Sequence, residues 1–309
     1  MLMKFWFTLF LAASFFLSGA QSKNATRKII DVHLHARHFD SYGKPPIPNP
    51  ITGQAPAWKS DDEVVKETLL ILKKYNVVKA ITSGSLDRIS EFHQADPKVI
   101  IPSLDYPDPK NNPLPDTSTF VRLFKEGKFL VFGELALQYE GRQLNDPILD
   151  PYLKICERLQ IPVALHTGLG APNTPYMCCP KFRTSLGNPQ LVEEVLIKYP
   201  RLKLQLMHMG YPYLAETKAI LYEYPRVYAD MSVVNWILPA KEFYNYLEAL
   251  IDAGFGDRIM YGSDQMGWPD AISLSIKNVE AAPFLSELQK QNLFYNNAAK
   301  FYSIDRPEK

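Results

Sequence analysis

Eight times between residues 28 and 302, a short apolar run rich in Val, Ile and Leu gives way to a stretch with helical periodicity. The runs read IIDVH, VVKAITS, VIIPSL, FLVFGELAL, PVALHTG, LKLQLMHMG, VYADMSVV and RIMYGSD. Most show no clean alternation of polar and apolar residues, as expected of strands buried on both faces of a parallel sheet. The stretches between them carry helix signals. Ser60-Asp61-Asp62-Glu63 reads as a capping box ahead of VVKETLLILKKY, and NPQLVEEVLIKYP has a proline in its first turn and Pro200 beyond its end. PILDPYLKICERLQ and LPAKEFYNYLEALIDAG follow the fourth and seventh runs. This alternation predicts a single-domain α/β fold, the (β/α)8 TIM barrel, with any active site at the C-terminal ends of the strands.

Two connections break the rhythm. FDSYGKPPIPNPITGQAPAW after the first strand and LGAPNTPYMCCPKFRTSLG after the fifth are rich in Pro and Gly, so neither should extend a helix or strand. Both follow strand C-termini and are expected to wall the pocket. The second carries Cys178 and Cys179, which with Cys156 make three cysteines, too few for a disulfide scaffold. One bridge to Cys156, or plain loop packing, is the expectation.

Ahead of the first unit, MLMKFWFTLFLAASFFLSGAQS combines an early Lys4, an apolar stretch from Phe5 to Leu17 and the small residues Ser18-Gly19-Ala20. Residues 1–20 read as a cleaved secretory signal and residues 21–309 as the mature domain. The apolar stretch is shorter than the roughly 20 residues that span a bilayer. No second candidate span follows, so the mature chain is expected to be soluble and exported, to a periplasm or to the outside. With 34 basic and 33 acidic side chains the net charge is +1, which supplies no overall field for a phosphate backbone and weighs against nucleic acid as partner.

The chain has six histidines, and four of them, His33, His35, His166 and His208, fall near the C-terminal ends of strands one, five and six. His33 and His35 are two residues apart, so in a strand they share a face. Glu134 near the end of strand four and Asp264 at the end of strand eight join them on the same rim. Imidazoles and carboxylates together suit Zn2+, Mn2+ or Fe2+, and the lack of cysteine on this rim argues against a structural thiolate site. Arg183, Arg37, Tyr139, Tyr211 and Trp268 lie near the rim. Of these, Arg183 is the first choice to clamp a substrate carboxylate, because its loop has no role in the core.

The order H-x-H, Glu, His, His, Asp on successive strands resembles the amidohydrolase superfamily, and YGSD followed by NNAAKFYSI is similar to its amidohydrolase-2 (amidohydrolase-related) branch. The resemblance runs from Ile29 to about Tyr302 and implies a metal-dependent TIM-barrel hydrolase. It implies that His33, His35 and Asp264 hold a first ion, with His166 as a further ligand in one-ion members and His208 polarising the scissile carbonyl or moving a proton. In two-ion members Glu134 would bridge, with His166 and His208 on the second ion. The ion, Zn2+ first among the candidates, would lower the pKa of a bound water from near 16 to about 7. Asp264 would take the remaining proton and deliver it to the leaving group.

The reading that follows is an exported metal-dependent hydrolase that uses a metal-bound water to cleave an amide, lactone or ester bond of a small organic substrate. Arg183, Tyr211 and Trp268 would bind that substrate. The alternatives are a nonoxidative decarboxylase of an aromatic acid, a TatD-like metal-dependent deoxyribonuclease and a non-catalytic solute-binding protein on the same fold. A homodimer is compatible with the sequence.

Overall fold

The computed structural model describes residues 27–106 and 113–304. The signal segment expected at residues 1–20 lies outside the described residues. Among the described residues no helix is long and apolar enough to cross a membrane.

The eight expected strands are present: β1 Ile29–Ala36, β2 Val77–Gly84, β3 Ile100–Leu104, β4 Val131–Leu135, β5 Val163–Leu165, β6 Leu204–Leu206, β7 Val227–Asp230 and β8 Ile259–Met260. They pair in parallel, in sequence order, as one eight-stranded sheet. The segment after β8 returns to β1: the Val32 amide donates to the Tyr261 carbonyl at 3.0 Å and the Asp264 amide to the His33 carbonyl at 2.7 Å. The sheet thus curls into the expected TIM barrel.

Two apolar layers hold it. Ile30 and Val32 of β1, Ile81 of β2, Val131 of β4, Ala164 of β5 and Met207 just past β6 form one cluster, so they fill the barrel interior. The terminal helix Asn297–Tyr302 plugs the bottom of that cluster with Phe301 and Tyr302. The larger layer lies outside the sheet, where Ile29, Leu34 and Ala36 of β1 meet Val64, Ile71 and Leu72 of the helix Asp61–Lys74.

β1 contains a device that the alternation rule alone does not supply. Ile30 and Val32 face inward, and strict alternation would send His33 and His35 outward. The pairing with β2 is irregular between Asp31 and Leu34. An irregularity of this kind re-aims the side chains beyond it, so Leu34 and Ala36 join the outer layer and the two histidines face the interior. The pairing of β4 with β5 shifts in the same way between Phe132 and Leu135. There the hinge is Gly133, at φ 152°, where an added Cβ would press on the Ala164 backbone and lie 2.7 Å from the Ala164 side chain. Only glycine fits, and the shift turns Glu134 toward the mouth.

Three local expectations change. Ser60 caps the helix Asp61–Lys74 by accepting the Glu63 amide, but the Glu63 carboxylate takes the Lys59 amide at 2.7 Å and not that of Ser60, so the capping box is only half formed. The loop after β5 is not irregular throughout, since it contains a short helix, Thr174–Met177, and a 3-10 turn, Thr184–Gly187. No bridge reaches Cys156, which is buried and free on the helix Asp150–Leu159; Cys178 and Cys179 are bonded to each other. Cys178 is exposed and Cys179 half-buried at the end of the short helix, and closing on each other leaves neither thiol for Cys156.

Candidate metal centre

The rim gathers the six residues expected there. His33 and His35 stand at the end of β1, Glu134 on β4, and His166, His208 and Asp264 just beyond β5, β6 and β8. The other two histidines lie elsewhere: His38 pairs with Asp61 at the surface, 2.7 Å apart, and His93 bonds the Ile100 carbonyl.

The donor atoms form overlapping groups, with His33, His208 and Asp264 linking two main sets. In the first, His33 Nε2 and His35 Nε2 are 3.3 Å apart. Glu134 Oε2 lies 3.6 and 3.5 Å from them, and Asp264 Oδ1 lies 3.9 and 3.0 Å from them. Four ligands at zinc-like bond lengths around one ion stand about 3.4 Å apart in a tetrahedron, so these edges fit one divalent ion. In the second set His166 Nδ1 lies 2.8 Å from Glu134 Oε1 and 3.1 Å from His208 Nε2. Glu134 therefore offers one oxygen to each set.

Asp264 Oδ1 is buried with no hydrogen-bond partner, although His35 Nε2 is only 3.0 Å away. A buried carboxylate oxygen left over in this way is an available ligand for a cation. The partners of the other ring nitrogens agree with this. His33 Nδ1 lies 2.8 Å from Ser232 Oγ, and His35 Nδ1 3.1 Å from Ser83 Oγ. His208 Nδ1 donates to the Ser232 carbonyl at 3.0 Å. The carbonyl partner makes Nδ1 the protonated nitrogen of His208 and leaves its Nε2 lone pair facing inward. The Ser232 and Ser83 hydroxyls, which can donate or accept, hold His33 and His35 with Nε2 turned inward in either tautomer.

The charges call for a cation. Burial works against a charge on His33, but Asp264 and Glu134 beside it overcome this and raise it to about 10. Burial would raise both carboxylates, yet hydrogen bonds from His166 and His33 hold Glu134 well below its usual range, and the positive charge on His33 does the same for Asp264. Burial and the neighbouring His166 lower His208 to about 4, so that ring is neutral at physiological pH. The residues present thus form a buried anionic cluster positioned to bind metal.

Supporting residues that the sequence did not single out hold this geometry. Gln265 grips the His35 backbone at both ends, accepting its amide at 2.9 Å and donating to its carbonyl at 2.6 Å. Asp31 accepts the amides of His33 and Ser263, and Asp230 accepts that of Ser232 at 2.8 Å. A carboxylate inside an otherwise apolar strand, as in IIDVH and VYADM, was the available signal for these two. Nothing local marks Ser83, Ser232 or Gln265. Backbone strain collects here as well: His208, Met209, Val233, Asp264 and Met266 all have φ between 43° and 61°. Such conformations persist only where surrounding structure enforces them.

The substrate-binding expectations divide. Trp268 is buried, donates its indole N–H to the Ile47 carbonyl at 3.0 Å and stacks on Tyr42 with ring centroids 5.2 Å apart. Tyr139 stands edge-on to His166 at 5.1 Å. Tyr211 turns its hydroxyl to Glu242, on the helix Ala240–Leu250, and its ring to Tyr246. Arg183 is exposed and donates from Nη1 to the carbonyls of Pro180 and Phe182 in its own loop. At the mouth stand instead Arg37, Tyr42 and Asp105, whose charges act on one another and on Glu134.

Asp105 permits a check on this electrostatic picture. Burial first, and then the charge of Glu134, push its carboxyl up to about 7, with Arg37 opposing. The unfolded carboxyl ionises near 4 while the folded one resists, so this group subtracts stability as pH rises from about 4 to about 7. Asp105→Asn should therefore raise stability at pH 8 by a few kcal/mol and leave it nearly unchanged at pH 4. Urea melts of the metal-free protein at both values would show it, and equal effects at the two would refute it.

Comparison with known proteins agrees with the geometry. The family described as Amidohydrolase, the amidohydrolase-2 branch, matches residues 30–304. Protein fluG of Emericella nidulans is 23% identical over 141 residues, 44% of this chain and 15% of that protein, so the chain spans only a small part of the curated relative it matches. A probable 2-pyrone-4,6-dicarboxylic acid hydrolase from Acinetobacter baumannii superposes with a TM-score of 0.62 at 15% identity, covering 89% of this chain and 99% of that one. A 5-carboxyvanillate decarboxylase from Novosphingobium aromaticivorans, solved with manganese and a nitrobenzoic acid, gives 0.59 at 15% identity, covering 90% and 96%. At such identities the structural matches speak for the fold alone. The family match, spanning nearly all of the described residues and the whole donor set, shows that this chain is an enzyme of the amidohydrolase superfamily, in its amidohydrolase-2 branch.

Proposed function

We propose that the protein is an exported hydrolase that binds two divalent cations, with Zn2+ as the first candidate, and cleaves an amide, lactone or ester bond of a small organic acid. The observation that carries this reading is Glu134, whose Oε2 faces His33 and His35 while its Oε1 faces His166. A carboxylate turned to two donor sets at once is suited to bridging two ions. Bound there, the ions supply Lewis acidity and acidify water.

The chain's own groups have distinct tasks. Asp264 Oδ1 belongs to the first donor set, so Oδ2 is the atom left to receive a proton from the attacking water and pass it to the leaving group. His208 donates through Nδ1 to the Ser232 carbonyl, so Nε2 has no proton to offer a carbonyl oxygen. It serves as a ligand with His166. Trp268, Tyr42 and Tyr139 provide apolar wall around these polar groups.

The test is turnover by zinc- and manganese-loaded protein across esters, lactones and amides of small acids. Hydrolysis of at least one class supports the reading. Release of CO2 from hydroxybenzoates without any hydrolysis would replace it with the decarboxylase, and nicking of DNA, lost in Asp264→Asn, with the nuclease.

Export makes a separate prediction. Full-length chain produced in a bacterial host should be recovered outside the cytoplasm with Gln21 as its first residue, as read by N-terminal sequencing. Retention of Met1 on cytoplasmic protein would contradict it.

A further inference from the structure

The mouth holds a basic group that neither the fold nor the donor set uses. Arg37 leaves β1 directly after the histidine pair, and its Nε is buried without a hydrogen-bond partner. It stands just beyond the C-terminal end of β1, on the rim that carries the donor cluster, and its charge bears on Glu134, Asp105 and Asp264. The Arg37 carbonyl accepts from Arg88 Nε at 3.3 Å, which fixes its backbone. Beside its side chain, Tyr42 is clamped between the Arg37 charge and the Trp268 ring. The Tyr42 hydroxyl takes one hydrogen bond from the guanidinium and Nε stays unpaired, so a planar group with donors to spare is held where it can recognise a carboxylate bidentately.

We propose that Arg37 anchors a carboxylate of the substrate, one distinct from the bond being cleaved, with the Tyr42 and Trp268 rings as the flat wall beside it. This rests on the hydrolase reading and narrows it to substrates that carry a free acid group on a planar or compact body. It assigns to Arg37 the role that the sequence suggested for Arg183, which is exposed and turns its Nη1 to carbonyls of its own loop.

The probe is isophthalate, a rigid dicarboxylate, compared with its uncharged diamide. Calorimetric titration of zinc-loaded wild type, Arg37→Met and Arg37→Lys measures both. Arg37→Met should weaken isophthalate at least about tenfold and leave the diamide unchanged, with Arg37→Lys in between because an ammonium cannot form the fork. A purely structural arginine would weaken both probes alike or lower the zinc content. Equal isophthalate affinity in wild type and Arg37→Met, parallel loss of both probes, or no isophthalate binding by wild type would each overturn the proposal. Should Arg37→Met lose its fold, the acid-to-diamide ratio in Arg37→Lys decides, an unchanged ratio counting against Arg37. Turnover of uncharged phenyl acetate by the wild type reports on the hydrolase reading separately, whatever the fate of Arg37.

Discussion

Asp264→Asn should lower kcat/KM on the best substrate by about 10^2- to 10^4-fold, the span expected when a general acid–base group is removed. The amide keeps an oxygen for the first donor set but cannot take up a proton at the position of Oδ2. The loss should therefore appear mainly in kcat, with KM changed little. The fold has no reason to suffer, because the Asp264 backbone amide still donates to the His33 carbonyl. A fall of less than about tenfold, with metal content unchanged, would remove Asp264 from proton transfer.

The second large effect comes from a residue that touches no substrate. Gly133→Ala places a methyl group against the Ala164 carbonyl and 2.7 Å from the Ala164 side chain, at a backbone φ of 152°. Overpacking and forbidden backbone geometry together should cost about 2–6 kcal/mol. Because Gly133 is the point at which β4 shifts register to aim Glu134 inward, the variant should also bind metal more weakly than its loss of stability explains. A melt combined with a zinc titration separates the two effects. Normal stability and normal metal affinity together would mean that the register shift is not what positions Glu134.

The barrel was legible because parallel strands buried on both faces must be apolar throughout, and eight such runs separated by helical stretches leave few topologies. The rim was legible because His33, His35, His166 and His208 sit at strand ends, where packing does not call for imidazole. The aim of those side chains was not legible. Alternation from Ile30 and Val32 turns His33 outward, and only the irregular pairing after Asp31 reverses it. The supports of the site were equally hidden, since Ser232 reaches His33 across 199 positions of sequence and Gln265 reaches His35 across 230. Arg183 and Arg37 show the limit for substrate contacts: both lie in rim loops, and only the third dimension tells that Arg183 is exposed with Nη1 turned back on its own loop while Arg37 keeps a buried, unpaired Nε. The cysteines repeat the point, because Cys156 is buried and free while Cys178 and Cys179 close on each other.

The account stands most directly on a count of metal ions. Elemental analysis of the zinc-replete protein, residues 21–309, beside Glu134→Gln and His33→Ala, is the decisive measurement. The account predicts two equivalents in the wild type, one in Glu134→Gln, and loss of the first-set ion in His33→Ala. One equivalent that ignores Glu134→Gln would contradict the shared carboxylate, and no bound metal under replete conditions would contradict the metal centre itself.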